Sequence, residues 1–429
     1  MGDFVVSISY GNYLIQNGGT DKVIREHQEL FTMRGIDYVF LFPVVRNIKV
    51  GKILKTFRYW GIDKNKDFLG LYKIKDVLGY IGTLMNQGNG CRALFIHHTW
   101  RVQEKDLELI LRSFDVPIYY YLHDFYSICD GKNLIAQDGK YCGYGLDCFD
   151  CKTECQYYEQ SQLNKKALTS LIKTFDSRLT FVAPSDNTKD IYTKTFEEYA
   201  ERFISIPHQI LQGEYKRKPF GNPIKIAFIG KQVSLKGWDD YKEIVDRLGD
   251  DPDYEFYYLG TGTDRPSNVK AAEVSVRKQG PDAMINTLRK LKIDIVLLLS
   301  CWPETYSYTY FEAYAAGCYI ITYNCSGNMA DMVNKNDNGF IIDNNDELIS
   351  LLQDKNSMIR SMMDFRMKHP FFPLELRLND EIASIALKSD GSFHMSDKKK
   401  KHVKRQLLAE AIYRLQNRNN LKKVKRSEN

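Results

Sequence analysis

Two glutamates with seven residues between them, Glu304 and Glu312 in PETYSYTYFEAYAAGCYIITYNCSGNMADMV, carry the strongest chemical pattern in this 429-residue chain. The segment follows the apolar run DIVLLLS, which reads as a buried strand. A helix opening near Ser307 would leave Glu304 in the loop at the strand's carboxyl end and set Glu312 more than a turn inside the helix. At ~1.5 Å per helical residue the two carboxylates then stand on the order of 10 Å apart. That separation suits the two ends of one ligand better than a single acid/base pair. Ser307, Tyr308 and Thr309 lie between them at the helix amino terminus, where backbone N–H groups and the helix dipole favour phosphate. Carboxylates accept paired hydrogen bonds from vicinal hydroxyls. A sugar at one end, a diphosphate in the middle and a ribose at the other is therefore a consistent ligand, and a nucleotide-diphosphate sugar has that layout.

Four further pieces accompany the glutamates in order: NGGTDKVIREH near the start, IAFIGKQVSLKGWDD, YYLGTG, and NGFIID after them. Together they resemble the retaining glycosyltransferases of family 4, bacterial polysaccharide-building members among them, over residues 1 to about 350. The resemblance implies the α/β GT-B fold, two Rossmann-like doubly wound lobes facing a central cleft. It implies that Glu304 binds hydroxyls of the transferred sugar and orients the developing oxocarbenium face, and that Glu312 holds the nucleotide ribose. Lys236, in SLKGW, matches the lysine that neutralises the donor diphosphate as it departs. After the strand glycine, Gly230, the family usually has an Arg; Lys231 stands there instead, a point charge without a bidentate fork. Gly18 and Gly19 match the loop where backbone approaches the diphosphate, which needs residues without Cβ. His123, in IYYYLHDFYS, matches the histidine lining the reaction centre and follows a strand, where open α/β sheets bind ligands. His97 and His98, ending ALFIHH, are second-rank candidates for contact with donor or acceptor. Catalysis is expected to need no metal or other cofactor, and retention to arise from same-face displacement in which the leaving phosphate helps deprotonate the acceptor. Asp251-Pro252-Asp253 has the letters of a metal-binding Asp-x-Asp but reads as an ordinary turn before YEFYYLG.

Five of nine cysteines, Cys129, Cys142, Cys148, Cys151 and Cys155, fall within 27 residues. The Cys-x2-Cys step suits tetrahedral thiolate coordination, and Gly143 and Gly145 permit tight turns. Cys129, Cys142, Cys148 and Cys151 are the candidate ligands of a structural zinc; free thiols, a disulfide or an iron–sulfur site are the alternatives. A similar insertion occurs in some bacterial polysaccharide-building members of the family, and its place after His123 implies that it shapes the acceptor cleft.

Short apolar runs alternate with amphipathic stretches to position these residues: FVVSISY, Gly18 to Arg34, DYVFLF, ALFIHH, Gln103 to Ser113, PIYYYL and LTFVAPS, then IKIAFIG, Trp238 to Leu248, YEFYYLG, DIVLLLS, Tyr310 to Ala316, CYIITY and GFIID. Alternation of strands and helices implies parallel sheets covered on both faces. The stretch LQGEYKRKPFGNP, rich in Gly, Pro and charge, marks a linker. The expected units are an acceptor lobe over 1–211 with a Cys-rich insertion at 129–155, a donor lobe over 212–354, and an extension over 355–429.

The formal charge of +6 is unevenly placed. From Asp397 to Asn429 there are twelve Lys or Arg against three Asp or Glu, or +9, leaving 48 against 51, or −3, in the other 396 residues. A slightly acidic body argues against a nucleic-acid groove. In the tail Val403, Leu407, Leu408, Ala411, Ile412 and Leu415 recur at helical spacing with Lys and Arg at both ends, a basic amphipathic helix fitted to an anionic membrane surface, to packing on a lobe or to a subunit contact. No apolar run has transmembrane length, the amino terminus lacks a signal-peptide pattern, and the odd cysteine count suits a reducing compartment, so a cytoplasmic protein, peripheral on the inner membrane face, is expected. The function implied is transfer of a sugar from a nucleotide-diphosphate donor to a glycan or lipid-linked glycan hydroxyl in cell-envelope synthesis. An epimerase or phosphorylase on the same fold, and a catalytically silent assembly protein, are the alternatives.

Overall fold

Apolar runs rich in β-branched and aromatic residues form the strands, and amphipathic stretches between them pack as helices on both sheet faces. The computed structural model describes residues 2–16, 18–50, 53–86, 90–143, 155–216, 222–368, 370–388 and 403–418. The first lobe begins with β1 (Phe4–Ile8), α1 (Gly19–Met33), β2 (Asp37–Val50), β3 (Ile53–Lys64), β4 (Asp67–Tyr72) and α2 (Ile74–Asn86). It continues with β5 (Cys91–Ile96), α3 (Glu104–Arg112), β6 (Ile118–Tyr121), α4 (Tyr158–Phe175), β7 (Leu179–Ala183), α5 (Asp186–Thr195) and β8 (Phe203–Ser205). These eight strands lie in the order β4-β3-β2-β1-β5-β6-β7-β8. After β9 (Gln209–Lys216), the second lobe holds β10 (Ile224–Ile229), α6 (Trp238–Leu248), β11 (Tyr254–Gly260), β12 (Lys270–Glu273), α7 (Val276–Gln279) and α8 (Ala283–Leu291). Then follow β13 (Ile295–Leu298), α9 (Tyr308–Ala315), β14 (Tyr319–Tyr323), α10 (Asn328–Asn336), β15 (Gly339–Ile342) and α11 (Asn345–Gln353). Its all-parallel sheet has the order β12-β11-β10-β13-β14-β15.

Both sheets are covered on both faces, as their continuous apolar strands require. Phe4, Val6 and Ile8 of β1 enter one core and Val5 the other; Ile224, Ile226 and Phe228 of β10 divide in the same way from Ala227 and Ile229.

Three features depart from the sequence reading. The interval between DYVFLF and ALFIHH, where periodicity assigns no element, forms an antiparallel arm: β2 pairs with β3 and β3 with β4. The turn joining β3 to β4 uses Asn65 and Lys66, both at positive φ, as a two-residue hairpin demands. The linker is also partly strand, since β9 pairs antiparallel with β16 (Phe371–Leu378) across the breaker HPFFP. Finally, the described helices after Asp354 are divided between the two lobes. α12 (Lys355–Lys368) buries Met358, Met362 and Phe365 in the second lobe, while α13 (Glu381–Lys388) buries Ile382, Ala383 and Ala386 in the first. α14 (Leu407–Gln416) also rests on the first lobe, through Tyr413. Apolar spacing marks α14 in the sequence, but which sheet these helices cover is decided by long-range packing.

Candidate active site

The predicted residues of the second lobe gather at the carboxyl ends of β10 and β13, neighbouring strands at the point where strand order reverses. Gly237, at φ +78, brings the turn carrying Lys236 against Leu299 just beyond β13; a Cβ there would lie 2.4 Å from the Leu299 carbonyl oxygen, so only glycine fits. Across β13 the loop bearing Glu304 is held by its backbone: Glu304 N–H donates to Ser326 O at 3.0 Å, and Glu304 O accepts from Asn328 N–H at 3.1 Å. Its buried carboxylate accepts from Ser300 Oγ at 2.7 Å and is ion-paired with the Lys236 ammonium. Lys236 Nζ also lies 4.8 Å from the centre of the Trp302 ring. Glu304 and Lys236, separated by 68 residues, are thus one polar unit.

Ser307 caps α9, its Oγ accepting from Tyr310 N–H at 3.3 Å and meeting Thr309 Oγ1 at 3.0 Å. The N–H groups of Tyr308 and Thr309 belong to the first turn of α9, which makes no use of them within the helix. Glu312 is buried one turn further on. Burial pushes its carboxyl up to about 7, against the partial relief of Lys22. Gly230, at φ +107, ends β10, and Lys231 after it is exposed.

In the first lobe Gly18 caps α1, its N–H donating to Asp21 Oδ2 at 2.7 Å. The backbone conformation at these positions does not by itself demand glycine. Gly18 has φ −86, and a Cβ at Gly19 would meet nothing within 4 Å, so the chain itself leaves this space open. His123 follows β6, and its carbonyl accepts from Thr305 Oγ1 at 2.7 Å, which sets it one residue from Glu304 across the lobe boundary. His97 Nδ1 lies 2.9 Å from His123 Nε2, with the two rings stacked at 5.2 Å. His97 Nε2 faces the Tyr38 hydroxyl at 3.5 Å. His98 accepts from Trp100 N–H at 2.9 Å through Nδ1 and therefore donates through Nε2 to Asp124, 3.1 Å away. Both histidines, expected as second-rank ligand contacts, commit both ring nitrogens within the lobe. Burial, then the nearby His208, drives the His123 imidazole well below its usual range, and His27 and His208 fall to about 3 through burial.

Sequence reading missed the residues that join the lobes. Tyr308 Oη donates to Glu26 Oε2 at 2.7 Å, and Gln209 Nε2 to Glu26 Oε1 at 3.1 Å. Lys22 Nζ lies 3.5 Å above the Tyr308 ring, while His208 packs on Tyr306 and Tyr308. The available signal was Glu26 itself, a charge beside Val23, Ile24, His27 and Leu30 on the buried face of α1. Burial pushes the Glu26 carboxyl up to about 7, against Lys22 and the two hydrogen bonds. Its folded pKa thus exceeds the unfolded value of about 4.5, so its contribution is complete below about 4.5 and lost as pH rises through about 7. Glu26→Gln is expected to raise stability at pH 8 by on the order of 1–3 kcal/mol with little gain near pH 5, measured by thermal unfolding at both pH values.

Among the described residues no group of three or more side chains could hold a metal ion. Cys129 is buried, Cys142 and Cys155 are partly exposed, and Cys148 and Cys151 lie outside the described residues. Asp251 Oδ1 accepts from Asp253 N–H at 2.9 Å and caps the turn before β11, at the sheet end opposite the site.

Residues 214–360 match the family described as Glycosyl transferases group 1. The match to this family therefore falls on the second lobe. None of the curated proteins matches the chain in sequence. Among solved structures, a glycosyltransferase from Rickettsia africae ESF-5 is 12% identical, with 90% of this chain and 96% of that one covered and a TM-score of 0.52. TarM is 10% identical, with 85% and 94% covered and a TM-score of 0.51. These likenesses extend over both lobes and identify the fold as GT-B. The matched segment includes Lys236, Glu304 and Glu312, so the polar unit at the end of β13 lies within it.

Proposed function

We propose that the protein transfers a sugar, with retention, from a nucleotide-diphosphate sugar to a hydroxyl of a glycan or lipid-linked glycan in cell-envelope synthesis, working in the cytoplasm at the membrane surface. The carrying observation is the Glu304–Lys236 unit one residue from His123 across the two lobes. Lys236 meets the charge that develops on the departing diphosphate, Glu304 binds the sugar hydroxyls, and the first turn of α9 receives phosphate. Glu312 takes the ribose. Gly18 and Gly19 border the open space opposite, and Lys231 adds charge at its edge. On the attacked face the acceptor oxygen forms its bond to the anomeric carbon as the bond to phosphate breaks. The acceptor proton passes to the leaving diphosphate, and the chemistry needs no metal.

Incubation with a panel of nucleotide sugars and acceptors, scoring nucleotide release, tests this reading. Release that depends on Glu304 supports it, and no release with any combination overturns it. We further assign Cys129, Cys142, Cys148 and Cys151 as ligands of a structural zinc. About one zinc per chain is expected by metal analysis, falling severalfold in Cys129→Ala; metal-free protein of normal stability would leave free thiols as the answer.

A further inference from the structure

The apolar stripe of α14 points away from the protein. Leu407, Leu408 and Leu415 are 67%, 78% and 70% exposed, and Ile412 is 36% exposed. With Ala411 they recur at positions that share one helical face. The opposite face holds the helix to the first lobe. Tyr413 is buried, with ring centres 5.3 Å from Phe68 and 6.2 Å from Phe42, and its hydroxyl accepts from Asn12 Nδ2 at 3.3 Å. Gln406 N–H donates to Leu71 O at 2.8 Å. Glu410, the one acidic residue of α14, is buried on this inner side, bonded to Arg405 at 2.6 Å and Arg414 at 2.9 Å. A helix whose purpose was to pack on the lobe would turn its leucines inward; α14 turns them out and its acid in.

Charge identifies the occupant. The tail from Asp397 carries +9, so a second copy would bring like charge against like charge. A nucleic acid would satisfy the cations and leave four aliphatic side chains in water. An anionic lipid surface satisfies both, taking leucines at the acyl boundary and Lys or Arg at the headgroups. A second cation-rich stretch occurs in the sequence of the β2–β3 arm. Residues 44–60 contain Arg46, Lys49, Lys52, Lys55 and Arg58 and no acid, and Val45 and Phe57 there are each 38% exposed. Arg46 is near enough to Tyr413 to ease its ionisation. We propose that the outward face of α14, Leu407, Leu408, Ile412 and Leu415, docks the protein on an anionic bilayer with its flanking cations at the headgroups. The proposal rests on the membrane placement given above and names its contact surface. The inner face of α14 meets the loop preceding Gly18 through Tyr413 and Asn12.

Flotation of the full chain with vesicles of phosphatidylcholine containing about 30 mol% phosphatidylglycerol, and with phosphatidylcholine alone, tests it. Binding to the anionic vesicles is expected to exceed binding to the neutral ones by about tenfold, and Leu408→Gln/Leu415→Gln to lower it about tenfold. Both replaced side chains are exposed, so the variant keeps its core and its nucleotide release. Absence of flotation, equal flotation with neutral vesicles, or a variant that floats like the parent would overturn docking. So would light scattering that finds a dimer in the parent and a monomer in the variant, which assigns the face to a second copy. Flotation without nucleotide release from any donor would count against sugar transfer and leave the docking face standing.

Discussion

Glu304→Gln is expected to lower sugar transfer by about 10³-fold or more while leaving the fold intact. The loop is held by the Glu304 backbone through Ser326 and Asn328, and glutamine retains an oxygen for Ser300, so the geometry survives. The negative charge does not survive. Without it the Lys236 ammonium loses its ion pair, and the carboxylate that would meet the developing oxocarbenium is gone. Nucleotide release at saturating donor, beside a thermal melt, measures both effects. Activity within tenfold of the parent at equal stability would remove Glu304 from the chemistry. Lys236→Ala is expected to be comparably severe, and the double variant much less than multiplicative, because the two groups act as one.

Replacing His123 with Phe is expected to lower turnover by about 10²-fold, and His97→Phe by about tenfold, with donor KM nearly unchanged in the second. His97 acts through His123. Phe keeps the stack on Tyr121, whose ring centre is 4.9 Å away, but removes the nitrogen 2.9 Å from His123 Nε2 that holds the imidazole in one orientation. A fall in kcat without a change in melting separates positioning from mere packing; equal losses of both would make His97 structural. The buried histidines also set the acid limit. Because His27 and His208 have folded pKa values of about 3, below the usual 6.5, their contribution is complete above about 6.5 and is lost as pH falls toward 3. Glu26 has the opposite sign, so the interface holding both loses stability at each extreme.

The parallel sheets were legible because apolar runs such as IKIAFIG and DIVLLLS, bounded by turn residues, cannot be buried on one face alone. That Lys236, Glu304 and Glu312 are the candidate donor residues was legible through local spacing and the family likeness. The β2–β3–β4 arm was not, since its strands mix charge with apolar residues and their pairing depends on partners far along the chain. Glu26, Gln209 and His208 were equally hidden, because a polar residue on a buried helix face or in a linker announces no partner until the second lobe arrives.

The amino-acid sequence by itself determined the residue types at the cleft, the alternation that builds two covered sheets, and the separation of a basic tail from a slightly acidic body. Local spacing suffices for these, as each depends on a few neighbouring residues and on the period of a helix or strand. Only the tertiary structure decided that Lys236 pairs with Glu304, that His97 braces His123, and that Tyr308 meets Glu26. It also decided which way α14 faces. An amphipathic pattern states that a helix has two unlike sides, and the lobe, by offering Phe42, Phe68 and Asn12 to Tyr413, selects the side that remains in solvent.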